Sequence, residues 1–326
     1  MWRPRQAAVL GALLGGLAGS AHAQNAATPL PSPTSPEMTR FDAQVRYGQG
    51  RDEAYGAYQR GFFITALRQA TARLENDPKD AAAMTLLGEL HSQGLGLPQD
   101  FAKAASWYRL AAGAGDRNAL FALGMMALEG RGVPRNPQEG KRLLEEAAAR
   151  GHPLASHNLA LLLLPSESPE DVARAAKLLG VAAAAEIADA QHALGVLYAQ
   201  GRGVEKNPEQ AVRWYERAAA NGSIAGEVEF AIALFNSQGI EKNETQAARA
   251  FARAAYRGNA IARNRLARLY AAGRGINQDR IEAAAWQLLA ARQGLADTWL
   301  DQTLKDLSPE EQRKAEELAK SRALPD

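Results

Sequence analysis

The chain has five histidines, at 22, 91, 152, 157 and 192, and no cysteine. Imidazole is the side chain best suited to metal ligation or general-base work near neutral pH. The lack of cysteine excludes thiolate nucleophiles, disulfides and any Cys-based zinc site. His152 and His157 stand five apart, whereas two ligands on one helical turn need a spacing of four. His157 and His192 fall at equivalent points of a repeating pattern, about 10 Å apart if their helices are neighbours. Only Asp189 could join them as a carboxylate, and polar surface residues are the simpler reading. Glu145-Glu146 and Glu310-Glu311 read as solvated helical faces. No G-x-S-x-G, S-x-x-K, H-E-x-x-H or phosphate-binding Gly-Lys loop is present. Gly130-Arg131-Gly132-Val133 follows a helical pattern instead of a strand, so it reads as a turn and not as a dinucleotide fingerprint. The sequence therefore predicts a protein without enzymatic activity, cofactor or metal.

The elements that would hold these residues repeat. Ala-Ala pairs stand at Ala111-Ala112, Ala147-Ala148, Ala182-Ala183, Ala218-Ala219, Ala254-Ala255 and Ala290-Ala291, spaced by 36, 35, 36, 36 and 36 residues. A fixed period of this size marks a repeat architecture, in which each unit buries its apolar face against its neighbours. The clearest unit runs from Ala190 to Gly222. Its first helix carries Ala190, Leu194, Gly195 and Tyr198 on one face, and Gly201 and Gly203 shape the loop that follows. Asn207-Pro208-Glu209-Gln210 then starts a second helix, whose buried stripe is Ala211, Trp214, Tyr215, Ala218 and Ala219. Equivalent starts recur at Asn136, Asn243 and Asp279, and at Asp100 with Lys103 in place of the acidic or amide partner. Two repeats depart from the pattern. The third replaces its glycine loop with Pro165-Ser166-Glu167-Ser168-Pro169. The fifth, Phe235-Asn236-Ser237-Gln238-Gly239-Ile240, reads as one residue and one glycine short.

The ends differ from the repeats. Arg3 and Arg5, a short apolar run from Ala7 to Gly19 and Ala21-His22-Ala23 predict an exported chain cut between Ala23 and Gln24. No lipid-accepting cysteine follows, and no later segment is long and apolar enough for a membrane helix. The expected divisions are a signal peptide (1–23), a Pro-rich linker (24–38), a degenerate N-terminal helical repeat (39–80), the repeat array (81–294) and a C-terminal capping helix capped by Ser308 (295–326). Without residues 1–23 the chain would carry 36 basic and 36 acidic side chains, a balance that argues against nucleic-acid binding.

The pattern A-x-x-x-L-G-x-x-Y-x-x-G-x-G-V, a capped start, then A-x-x-W-Y-x-x-A-A-x-x-G, resembles the Sel-one-like repeat, a relative of the tetratricopeptide repeat. It stands here as Ala83, Leu87, Gly88, Gly94, Gly96, Ala104, Trp107 and Tyr108. It recurs as Ala119, Leu123, Gly124, Gly130, Gly132 and Val133, and as Ala262, Leu266, Tyr270, Gly273, Gly275 and Ile276. The resemblance implies an all-α fold, a right-handed α-α superhelix of about six 36-residue helix-turn-helix repeats. It also implies that the first helix of each pair lines a concave surface. Its inward positions lie at −1, +2, +6 and +9 from the first-helix alanine. The candidate partner-binding residues are then Phe121, Met125, His157, Leu161, His192, Val196, Asn264 and Arg268. Phe121, Met125 and Leu161 either line an apolar groove or pack between repeats, and Arg268 could capture a carboxylate. The implied function is a periplasmic scaffold that binds a peptide or helix of a protein partner. The alternatives are a periplasmic regulator of a sensor kinase and a cell-envelope hydrolase acting on peptidoglycan or a β-lactam.

Overall fold

The computed structural model describes residues 52–323, so the expected signal peptide, linker and first part of the opening repeat lie outside the described residues. Among the described residues there are sixteen helices and no strand, in the arrangement of an α-α solenoid. They fall into two compact units, one ending at Ile187 and the other beginning at Ala188.

The first unit contains α1 (Glu53–Gln59), α2 (Phe63–Asn76), α3 (Ala81–Gln93), α4 (Phe101–Gly113), α5 (Arg117–Glu129), α6 (Pro137–Ala149), α7 (Pro153–Leu163) and α8 (Pro169–Ala184). The second contains α9 (Ala188–Gln200), α10 (Pro208–Ala220), α11 (Ile224–Asn236), α12 (Glu244–Tyr256), α13 (Ala260–Ala272), α14 (Arg280–Ala291), α15 (Thr298–Leu304) and α16 (Pro309–Arg322). Within the first unit each helix packs on the next in chain order, and so do α9 to α14 of the second. The C-terminal segment forms two helices where the sequence suggested one: α15 lies on α13 and α14, and α16 packs on α14.

Side-chain caps set the helix starts. Asp100, Asn136, Asn207 and Asn243 each accept from the backbone N–H three residues on, and Asp279 accepts from those of Ile281 and Glu282. The first helices carry a second ladder of caps at the same period. These are Asp80, Asp116, His152, Ser223 and Asn259. Each cap satisfies an orphan donor and stabilises its helix by about 1 kcal/mol. At the other end Gly94, Gly130 and Gly273 close their helices in the left-handed conformation. In the fifth repeat Ser237 takes that role at φ 56°. The loop there is not a residue short, as expected from the sequence; a serine occupies the glycine position and the spacing is unchanged.

The alanine ladder marks a close contact. The first member of each pair is fully buried, whereas Ala112, Ala148 and Ala219 are half-buried and Ala291 is exposed. The glycine inside the first helix has a similar cause. A Cβ at Gly88 or Gly195 would stand 2.6 Å from the ring of Tyr108 or Tyr215. The second loop glycine answers to the preceding repeat: a Cβ at Gly132 would lie 2.2 Å from the Phe101 carbonyl oxygen, and one at Gly275 2.1 Å from that of Glu244. These glycines do more than turn a loop, because they let one repeat rest on the start of the previous second helix.

The opening repeat divides into two helices. Gly61, at φ 80°, separates α1 from α2. Tyr58 is buried with Leu86, Leu87 and Leu90 of α3, so α1 and α2 cover the first repeat's open face. Phe62 and Ile64, which flank the start of α2, are 59% and 63% exposed.

Candidate functional site

The inner-row positions of the first unit run from polar to apolar. On α3 they are Thr85, Glu89 and Ser92. On α5 they are Asn118, Phe121, Met125 and Leu128, all half-buried. On α7, Leu154, His157 and Leu161 are half-buried and Leu162 is exposed, while Leu164, the residue after the helix, is buried. Phe121 and His157, and Met125 and Leu161, thus stand at equivalent positions of consecutive first helices, all half-buried. Each keeps some surface and is anchored by its helix's packing.

Two enclosed polar groups lie at or beside this row, and each has a structural cause. Glu89 keeps part of its stem at the surface, but its carboxyl is enclosed. It accepts from the Tyr108 hydroxyl at 2.7 Å, from the Tyr58 hydroxyl at 3.4 Å and from the Gln93 amide. No cation is among these donors, and burial pushes the carboxyl above the usual range. Burial also pushes up the Tyr108 and Tyr58 phenols, with the nearby Glu89 charge adding to it. His152 is buried, and its Nδ1 accepts from the Ala155 N–H at 3.0 Å while its ring stacks on Phe121 at 4.5 Å between centroids. Desolvation, aided by the Arg117 charge, lowers its pKa to about 3. His152 is therefore a neutral helix cap. The cap ladder at 80, 116, 152, 223 and 259 was the signal in the sequence that could have assigned it.

In the second unit the expected residues separate by depth. Val196 is 5% exposed and belongs to the core of its repeat. His192 is mostly buried beside Tyr215, at 6.0 Å between ring centroids, and burial lowers its pKa. Asn264 is buried and Arg268 is half-buried, and both turn to one carboxylate. Arg268 donates from Nε to Asp297 Oδ2 at 2.6 Å and from Nη2 to Oδ1 at 2.8 Å; Asn264 Nδ2 donates to Oδ2 at 2.7 Å. Asp297 Oδ1 also accepts from the Trp299 and Leu300 N–H groups, which caps α15. The Arg268 bond holds the Asp297 carboxyl down to about 2, with Asn264 and the Leu300 N–H adding to it. Asp297 was missed in the sequence because it stands outside the repeat's inward positions. His157 and His192 lie in different units, and among the described residues no group of three metal-ligating side chains gathers. None of the described helices is long and apolar enough to cross a membrane.

The repeat geometry corresponds to a known family. The Sel1 repeat pattern matches residues 81–116, 117–152, 188–223, 227–259 and 260–295, which together make up more than half of the chain. The chain belongs to the Sel1 repeat family. The matches pass over 153–187, where the Pro165–Pro169 loop replaces the glycines and the two helices are 11 and 16 residues long. Among solved structures, this Sel1 repeat protein is similar to a Sel1 repeat protein from Oxalobacter formigenes, with 25% identity, 73% of this chain and 95% of that one covered, and a TM-score of 0.61. It is also similar to a protective antigen of uropathogenic Escherichia coli that displays an SLR fold. There the identity is 24% over 80% of this chain, the TM-score is 0.54, and the match spans 64% of the antigen's chain, less than two thirds of its length. Sel1 repeat proteins are in general protein-interaction scaffolds and usually non-catalytic.

Proposed function

We propose that this Sel1 repeat protein is a non-enzymatic periplasmic scaffold, which binds a helix or extended peptide of a protein partner along the inner row of its first unit. The observation that carries this reading is the half-buried run of Phe121, Met125 and Leu161 on consecutive first helices. Apolar side chains that keep part of their surface on rigid helices offer anchor positions at little ordering cost. The neighbouring Leu162 and Leu128 extend the row. Export rests on the basic start, the apolar run and Ala21-His22-Ala23.

The test compares the chain from Gln24 onward with its Phe121→Asp and Leu161→Asp variants as bait in a periplasmic extract. Loss of at least about tenfold in a captured partner, with the helical circular-dichroism signal unchanged, supports the reading. Equal capture by all three proteins overturns the assignment of this row. Recovery of the precursor with residues 1–23 intact in the cytoplasm overturns the location.

A further inference from the structure

Arg268 is only half used by the chain. Its Nε and Nη2 atoms form the two-point contact with Asp297, whose side chain is 5% exposed, yet the Arg268 side chain itself is 41% exposed. Among the described residues no acceptor meets Nη1. The guanidinium is planar and carries donors on two edges, so a carboxylate fixed on one edge orients the other. The Trp299 indole lies 5.2 Å from the guanidinium carbon and is 42% exposed. Two turns earlier on α13, Ile261 is 49% exposed, and Arg265 on the same helix is exposed as well. An oriented arginine beside an exposed tryptophan, with an exposed isoleucine two turns along the same helix, has the composition of an interface anchor. Asp297 offsets one of the two charges of Arg268 and the exposed Arg265, so the edge stays net positive, and with its two apolar side chains this defines the complementary ligand.

We propose that the Nη1–Nη2 edge of Arg268, with Trp299 and Ile261, docks an acidic peptide of a protein partner, one carboxylate pairing with the guanidinium and the apolar side chains flanking it resting on Trp299 and, two turns away, on Ile261. Asp297 and Asn264 act as positioning residues, since they hold the guanidinium plane. This deepens the scaffold reading and rests on it, but it uses residues of the second unit alone. A site at Arg268 and the row at Phe121 can therefore fail separately.

The test uses the chain from Gln24 onward and fluorescein-labelled peptides repeating Glu-Leu-Ser, against the same peptides with Gln for Glu, read by fluorescence anisotropy at low salt. The Glu peptide binds about tenfold more tightly than the Gln peptide, and added salt erodes the difference. Arg268→Lys keeps a cation for Asp297 but loses the second edge, so the preference falls to within about twofold. Ile261→Ser leaves the ion pair untouched and weakens the Glu peptide, which keeps the question decidable if the arginine variant is unstable. Equal binding of the two peptides, a preference that survives Arg268→Lys, or no binding of either at about 1 mM overturns the proposal. Phe121→Asp leaves the Glu preference intact, so a failure here does not count against the row in the first unit.

Discussion

Glu89 is the residue whose chemistry the sequence did not disclose. At the inward position of the first repeat it holds a carboxyl enclosed by Tyr58, Tyr108 and Gln93, all neutral donors. Tyr58 comes from α1 and Tyr108 from α4, while Tyr55 is the further titratable group on α1 that bears on this cluster. Burial places the folded-state pKa above the ordinary 4.5. The folded chain then binds more protons than the unfolded one across that window. The contribution of Glu89 is fully present below about pH 4.5 and is lost as the pH rises through the folded value. Glu89→Gln keeps the shape and abolishes the charge. It should raise stability at pH 8 by on the order of 1 kcal/mol, while near pH 4 the two proteins converge. Urea unfolding at the two pH values checks this; a variant less stable at pH 8 would mean that the cluster favours the ionised carboxylate. His152, stacked on Phe121, is the opposite case, a base kept neutral by burial and the nearby Arg117 charge, so that its Nδ1 is free to accept from the Ala155 N–H.

At the scale of the element, glycine is required by the neighbouring repeat as well as by the turn. Gly275 takes φ 69° and sits against the Glu244 carbonyl, so Gly275→Ala meets both backbone strain and a clash. The expected loss is about 2 kcal/mol or more. Ser237 holds the left-handed conformation without being glycine, and its hydroxyl donates to the Ile240 carbonyl at 3.2 Å. Ser237→Gly should therefore stabilise by about 0.5–1 kcal/mol, a gain reduced by loss of that bond. Thermal unfolding of both variants checks the pair, and an unchanged midpoint for Gly275→Ala would remove the close-approach argument. The same elements show what could be read in advance. The helix pairs and the caps at Asn136, Asn207 and Asn243 were legible because each depends on neighbours within one period. The Arg268–Asp297 contact was not. Asp297 lies 29 residues away, in the segment where the 36-residue phase has decayed, so no repeat alignment pairs them. The opening repeat shows a related limit: Phe62 and Ile64 are apolar, but Gly61 turns the chain and leaves them exposed.

At the scale of the whole molecule, a stack of repeats is held by contacts between neighbours, so its ends decide how far order extends. The second unit ends on α16, which contributes little apolar bulk: its buried residues are Ala315 and Ala319. Its firmest hold is Arg322, which meets Glu282 of α14 at 2.6 and 2.7 Å and lies over the Trp286 and Tyr256 rings at 4.9 and 5.8 Å. One arginine thus links the cap to two successive second helices, and its aromatic contacts strengthen an ion pair that would be weak in open water. A chain ending at Leu307 loses this contact while keeping Asp297, α15 and the Arg268 pair. Nearest-neighbour coupling predicts that backbone hydrogen exchange then accelerates most in α14, less in α12 and α13, and not measurably in α9. A uniform acceleration across the second unit would show it to be one cooperative block, and no acceleration in α14 would show that Arg322 is not its anchor.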